Sequence, residues 1–85
     1  MASYRLHIKP SAAKELEAIP LKDRKRLVTK IRRLAKEPRR PGCEKLSGQE
    51  KFRVRQGRYR VLYSVDDTES VVVIVKVGHR GDVYR

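Results

Sequence analysis

The run Lys51-Phe52-Arg53-Val54-Arg55-Gln56-Gly57-Arg58-Tyr59-Arg60-Val61-Leu62 decides the fold. Phe52, Val54, Tyr59 and Val61 alternate with Arg53, Arg55, Arg58 and Arg60, the period of two found in strands with one apolar face. Gln56-Gly57 supplies a two-residue loop, so the stretch is expected to form a hairpin that pairs Arg55 with Arg58 and Arg53 with Arg60. All four arginines then share one face. Like charges directly opposite each other on a sheet are destabilising, so this face is expected to meet an anion, and a phosphate backbone is the obvious one. A merely solvated face is the plainer alternative.

The rest of the chain points the same way. It has 85 residues, 22 Lys and Arg against 10 Asp and Glu, and a net charge of +12. That excess implies attraction to nucleic acid or another polyanion. At 39% hydrophobic residues the chain reads as one small globular domain spanning residues 1–85, with a modest core. Residues 21–40 carry ten basic and two acidic side chains, so the middle of the chain is the stronger electrostatic footprint and the hairpin the second. A single Cys43 and two histidines fall short of a disulfide or a metal-ligand set, so no metal or cofactor is expected. No apolar run reaches membrane-spanning length and the N-terminus lacks a signal-peptide core. A cytoplasmic protein with no membrane partner is expected.

Working outward, Tyr4, Leu6 and Ile8 alternate with Arg5 and His7, predicting a first strand that ends at Pro10. Ser11 then caps a short helix carrying Leu16 and Ile19, stopped by Pro20. Leu27, Val28, Ile31, Leu34 and Ala35 make one apolar stripe of a second helix that ends before Pro38. The rest of that helix is basic, with eight cations and one acid across residues 22–36, and contact with RNA is expected through Lys25, Arg32, Arg33 and Lys36, a solvated face being the plainer alternative. Residues 39–46 read as loop. A strand from Arg58 to Val65 turns at 66–69 into Val71–Val77, which is apolar on both faces as a central covered strand would be. Strand, two helices and an antiparallel meander together predict an α+β fold, with both helices on one face of a mainly antiparallel sheet and the arginines on the other.

Phe52-Arg53-Val54-Arg55, Tyr59-Arg60-Val61-Leu62-Tyr63, Val77-Gly78-His79-Arg80 and the closing Asp82-Val83-Tyr84 resemble the RelE branch of the RelE/ParE toxins of toxin–antitoxin modules. The two-helix opening and Pro41-Gly42-Cys43-Glu44-Lys45-Leu46 are also similar, so the resemblance covers nearly the whole chain. It implies a microbial RNase-like RelE fold and an endoribonuclease, or mRNA interferase, that enters the A site of the 70S ribosome. There the 2′-hydroxyl of the messenger attacks the adjacent phosphate, leaving a 2′,3′-cyclic phosphate and a 5′-hydroxyl. The family's catalytic positions fall on Arg53, Arg55, Arg60, Arg80 after the glycine turn, and Tyr84. The resemblance further implies a cognate antitoxin, with operator DNA contacted only through that antitoxin.

Chemistry constrains the roles. The reaction needs a base for the 2′-hydroxyl, cations for the phosphorane charge and an acid for the leaving oxygen. Arginine suits only the cationic task, because its pKa above about 12 keeps it charged while its fork matches phosphate oxygens. Lysines stand in many relatives where this chain has Arg53 and Arg55, so a lysine base does not carry over. Tyr84 is the candidate base or orienting group and His79, with an ordinary pKa of about 6.5, the candidate acid. Proton transfer assisted by substrate or ribosome is the third option. Arg58, beside the turn, is expected to make a peripheral RNA contact. Two other classes remain open: a ParE-like inhibitor of DNA gyrase, and a non-catalytic RNA-binding protein.

Overall fold

The computed structural model describes residues 4–39, 42–46 and 51–79. Five strands and two helices follow in the order β1 (Arg5–Ile8), α1 (Pro10–Glu17), α2 (Leu21–Lys36), β2 (Cys43–Lys45), β3 (Lys51–Gln56), β4 (Tyr59–Asp66) and β5 (Val71–His79). They build one sheet of order β1-β5-β4-β3-β2, antiparallel except where β1 runs parallel to β5. The expected α+β arrangement is borne out, with both helices against one sheet face.

The apolar periodicities explain the layering. Leu27, Ile31 and Leu34 of α2 are buried, as are Ala12 and Leu16 of α1, and they meet the inward residues Phe52, Val54, Val61, Tyr63, Val65, Val72, Ile74 and Val77. Fully burying such side chains is worth roughly 1.5–3 kcal/mol each, so this face fixes which side of every strand looks inward.

Several local expectations are corrected. The cap of α1 is Lys9, with Pro10 in the first helical turn and no side-chain cap bond, so Ser11 lies inside the helix. Pro fits there because its missing N–H has no helical acceptor to lose. Likewise Pro20 opens α2 rather than stopping α1, which ends at Glu17. Cys43–Lys45, expected as loop, is the edge strand β2 paired with β3.

The hairpin register also differs. Its loop is Gly57-Arg58, with Gly57 at φ +60°, and Gln56 stays in the ladder opposite Tyr59. Arg55 therefore faces Arg60, Arg53 faces Leu62, and Arg58 belongs to the turn, not to the arginine face. The expected pairs of Arg55 with Arg58 and Arg53 with Arg60 are absent.

The expected glycine turn at Gly78 is likewise strand: β5 continues through Gly78, opposite Arg60, and His79, opposite Tyr59. Its two faces are unequal, with Val72, Ile74 and Val77 buried but Val71, Val73 and Val75 only half-buried. A register shift opposite Leu62 and Tyr63 leaves Val75 unpaired. This bulge resets the alternation so that Ile74 and Val77 both face the helices. Glu15 of α1 braces it, accepting from the Val77 N–H at 3.0 Å and from Lys76 Nζ at 3.1 Å.

Behind the hairpin, the Tyr63 hydroxyl donates to the Pro38 carbonyl at 2.6 Å from a buried position, and its ring stacks on Phe52 with centroids 5.6 Å apart. Burial, then the neighbouring Cys43, pushes the Tyr63 pKa up. Arg39, next along the chain, lies over Phe52 and donates to both carboxylate oxygens of Asp67, while Tyr4 also donates to Asp67. These interactions pin the chain leaving α2 before it enters β2. Tyr63→Phe removes the buried donor and leaves the Pro38 carbonyl unsatisfied, which is expected to cost about 1–3 kcal/mol of unfolding free energy in urea titration; an unchanged midpoint would count against this bond.

Candidate anion site

The inward alternation of β3 and β4 forces their polar residues onto the sheet face away from the helices. Arg53 and Arg55 reach that face from β3 and Arg60 from β4, with Arg55 and Arg60 directly opposite. Gly42, Glu44, Arg53, Val54, Arg55 and Arg60 line a recess of about 180 Å³ there. Gly78 stands opposite Arg60 on the other side and contributes no side chain. Of the expected site residues, the structure thus brings Arg53, Arg55 and Arg60 together.

The others are placed elsewhere. Arg58 is exposed in the turn. His79 is exposed at the end of β5 with its ring edge-on to Tyr59, centroids 5.8 Å apart. Tyr59 packs against the core, so His79 lies on the helix side of the sheet and is not brought to the arginine recess. Arg80 and Tyr84 lie outside the described residues.

Glu44 is a site residue that periodicity does not single out. It faces Arg53 across the β2–β3 pair, and its Oε2 accepts from Arg53 Nε at 3.0 Å and Nη2 at 2.5 Å. Arg53 first, then Arg60 and Arg55, hold its carboxyl below the usual carboxylate range. A lowered carboxylate is a weaker proton acceptor, and the contact the structure gives Glu44 is to the Arg53 guanidinium. In the sequence Glu44 is marked only by its place in the stretch of residues 41–46, nine residues before Arg53.

The basic helix face forms a second surface. Lys25, Arg32, Arg33 and Lys36 are all exposed; Arg32, Arg33 and Lys36 share one recess with Thr29. Another, between α2 and the end of β3, is lined by Arg26, Thr29, Lys30, Arg33 and Gln56. It joins the helix face to the hairpin. Among the described residues, the ion pairs are Arg39–Asp67, Arg53–Glu44 and Lys76–Glu15, and none involves α2. No group of three or more potential metal ligands occurs among the described residues, and none of their helices is long and apolar enough to cross a membrane.

A small α+β domain presenting an arginine recess on its helix-free face defines the class, and comparison with known proteins gives the family. The family described as the ParE toxin of type II toxin-antitoxin systems, parDE, matches residues 6–84. Toxin RelG of Mycobacterium tuberculosis (strain ATCC 25618 / H37Rv) is 46% identical over 55 residues, a match spanning 61% of this chain and 61% of that toxin. Among solved structures, the toxin–antitoxin complex RelBE2 of Mycobacterium tuberculosis superposes with a TM-score of 0.83 at 30% identity, over 93% of this chain and 100% of that one. The isolated E. coli RelE toxin gives 0.81 at 28% identity, over 96% and 92%. The archaeal RelE-RelB complex of Pyrococcus horikoshii OT3 gives 0.79 at 30%, over 96% and 100%. The chain belongs to the RelE/ParE family and is a RelE-like toxin of a type II toxin–antitoxin system.

The Glu44–Arg53 pair has a titration signature. Glu44 is expected to titrate by NMR below the ordinary carboxylate value of about 4.3 and to return toward it in Arg53→Gln. Because the folded-state pKa is the depressed one, the stability that the pair contributes is present above about pH 4.3 and lost as pH falls through the folded value. An ordinary pKa in the unaltered protein would show that the pair does not form in solution.

Proposed function

We propose that this toxin is a ribosome-dependent endoribonuclease that cuts messenger RNA in the A site by attack of the 2′-hydroxyl on the adjacent phosphate, and that a cognate antitoxin restrains it. The observation that carries this reading is the opposed pair Arg55 and Arg60, with Arg53 beside it, around one recess. Two guanidinium forks facing each other across adjacent strands suit a phosphorane, whose equatorial oxygens carry the developing charge. Arg80 and Tyr84 complete the proposed set on the strength of the family resemblance, Tyr84 as base or orienting group. With His79 on the helix side, the leaving oxygen is protonated by a group of the substrate or ribosome, or by Tyr84 after its own proton transfer.

The basic face of α2, with Lys25, Arg32, Arg33 and Lys36, is the proposed contact to ribosomal RNA. Cations that join none of the described ion pairs, on a helix whose opposite stripe is buried, suit phosphate neutralisation more than internal pairing. The antitoxin proposal draws support from the relatives, whose structures include RelBE and RelE-RelB complexes. The match to a family described by its ParE toxins favours one alternative, inhibition of DNA gyrase.

Translation of a defined message in a purified system, with 5′ ends mapped by primer extension, separates the two. Cuts at the A-site codon only when ribosomes are present are expected; intact message together with inhibited gyrase supercoiling would replace the nuclease reading. Within the same assay, Arg60→Ala is expected to lower cleavage about 100-fold or more, and full activity would remove Arg60 from the mechanism. Replacing Arg32 and Arg33 with Gln is expected to flatten the dependence of ribosome binding on salt, by about one unit of log–log slope for each phosphate that is no longer neutralised. An unaltered slope would return the helix face to solvent.

A further inference from the structure

Among the described residues, Glu44 is the one acidic side chain lining a recess that also takes Gly42, Val54 and three arginines. Its carboxylate takes two donors of the Arg53 guanidinium, Nε and Nη2, the edge that a phosphate oxygen would use. The pair is open to water, with side-chain exposures of 62% for Glu44 and 29% for Arg53. Such exposed pairs contribute little to stability, and β2 is held to β3 by its backbone ladder. The carboxylate is therefore easily exchanged. A phosphodiester entering the recess must displace a negative charge from Arg53 and then remain beside it.

Resting on the reading that this recess receives an RNA phosphate, we propose that Glu44 is a specificity-determining residue that holds the Arg53 fork as a phosphate surrogate. It makes unanchored single-stranded RNA a poor ligand. An RNA already anchored elsewhere has a high effective concentration at the recess and exchanges with the carboxylate. Selectivity for anchored message over free message then lies partly in the toxin itself, as a built-in repulsive element.

The test is binding of a short single-stranded 2′-O-methyl oligoribonucleotide, which lacks the attacking hydroxyl, measured by fluorescence anisotropy. Glu44→Gln keeps the side-chain shape and a hydrogen-bonding oxygen, and is expected to tighten binding by about fivefold or more. Glu17→Gln makes the same change in net charge on α1, against the other sheet face, and is expected to shift binding by less than about twofold. In an Arg53→Gln background the gain from Glu44→Gln is expected to vanish, because the contested fork is gone. Equal effects of Glu44→Gln and Glu17→Gln would overturn the proposal, as would a Glu44→Gln gain that survives removal of Arg53. Ribosome-dependent cleavage by the unaltered protein is read separately. Its absence, with the Glu44 and Arg53 coupling intact, would remove the nuclease reading and leave Glu44 as the gate of an anion site.

Discussion

The structure depends on a contest between burial and charge in the β3–β4 hairpin. Phe52, Val54, Val61 and Tyr63 are buried against the helices, and strict alternation along the strands then drives Arg53, Arg55 and Arg60 to the other face. The cost is an arginine placed directly opposite an arginine. Like-charge opposition on a sheet costs a few tenths to about 1 kcal/mol, whereas each buried apolar side chain is worth roughly 1.5–3 kcal/mol. Burial wins by a wide margin, and the chain can keep a repulsive pair at its surface without losing the fold.

That margin explains what is legible in the sequence. The existence of the hairpin and the separation of its faces follow from alternation, as does the buried stripe of α2 at Leu27, Ile31 and Leu34. The register does not. Moving the loop from Gln56-Gly57 to Gly57-Arg58 shifts the pairing by two positions, and a shift of two keeps the inward apolar residues opposite one another and Arg55 opposite an arginine, although Arg53 comes to face Leu62. Periodicity is blind to that slip; the ladder carries it, with Gln56 opposite Tyr59 and Gly57 left-handed in the first loop position. For β2 the signal is too short, since Cys43-Glu44-Lys45 has no alternation to detect, and Glu44 is hidden with it. His79 is misplaced by periodicity for a related reason: glycine suggests a turn, but Gly78 lies within a continuous strand, so the next side chain falls on the opposite face from Arg60.

Three of the acidic residues each hold a cation. Asp67 fixes Arg39 at the exit of α2, Glu44 fixes Arg53 on the open face, and Glu15 holds Lys76 beside the bulge. The first two flank the chain that runs from α2 to β2. Arg39 and Tyr63 pin the chain after α2, the pinned chain enters β2, and β2 sets Glu44 opposite Arg53.

The cations of α2 take no part in the described ion pairs, and their field extends outward. It and the field of the arginine recess lie on opposite sides of the sheet, yet they are not isolated. Gln56 lines the recess that also holds Arg26, Lys30 and Arg33, and its strand neighbour Arg55 lines the recess on the open face. A ligand that engages both surfaces must therefore pass around the hairpin end of a body only 33 × 26 × 25 Å in extent. A flat partner satisfies one surface and leaves the other facing water. A partner that surrounds the domain, such as a cleft walled by structured RNA or a chain wrapped around it, satisfies both, and the separation of the two basic faces favours enclosure over side-on docking.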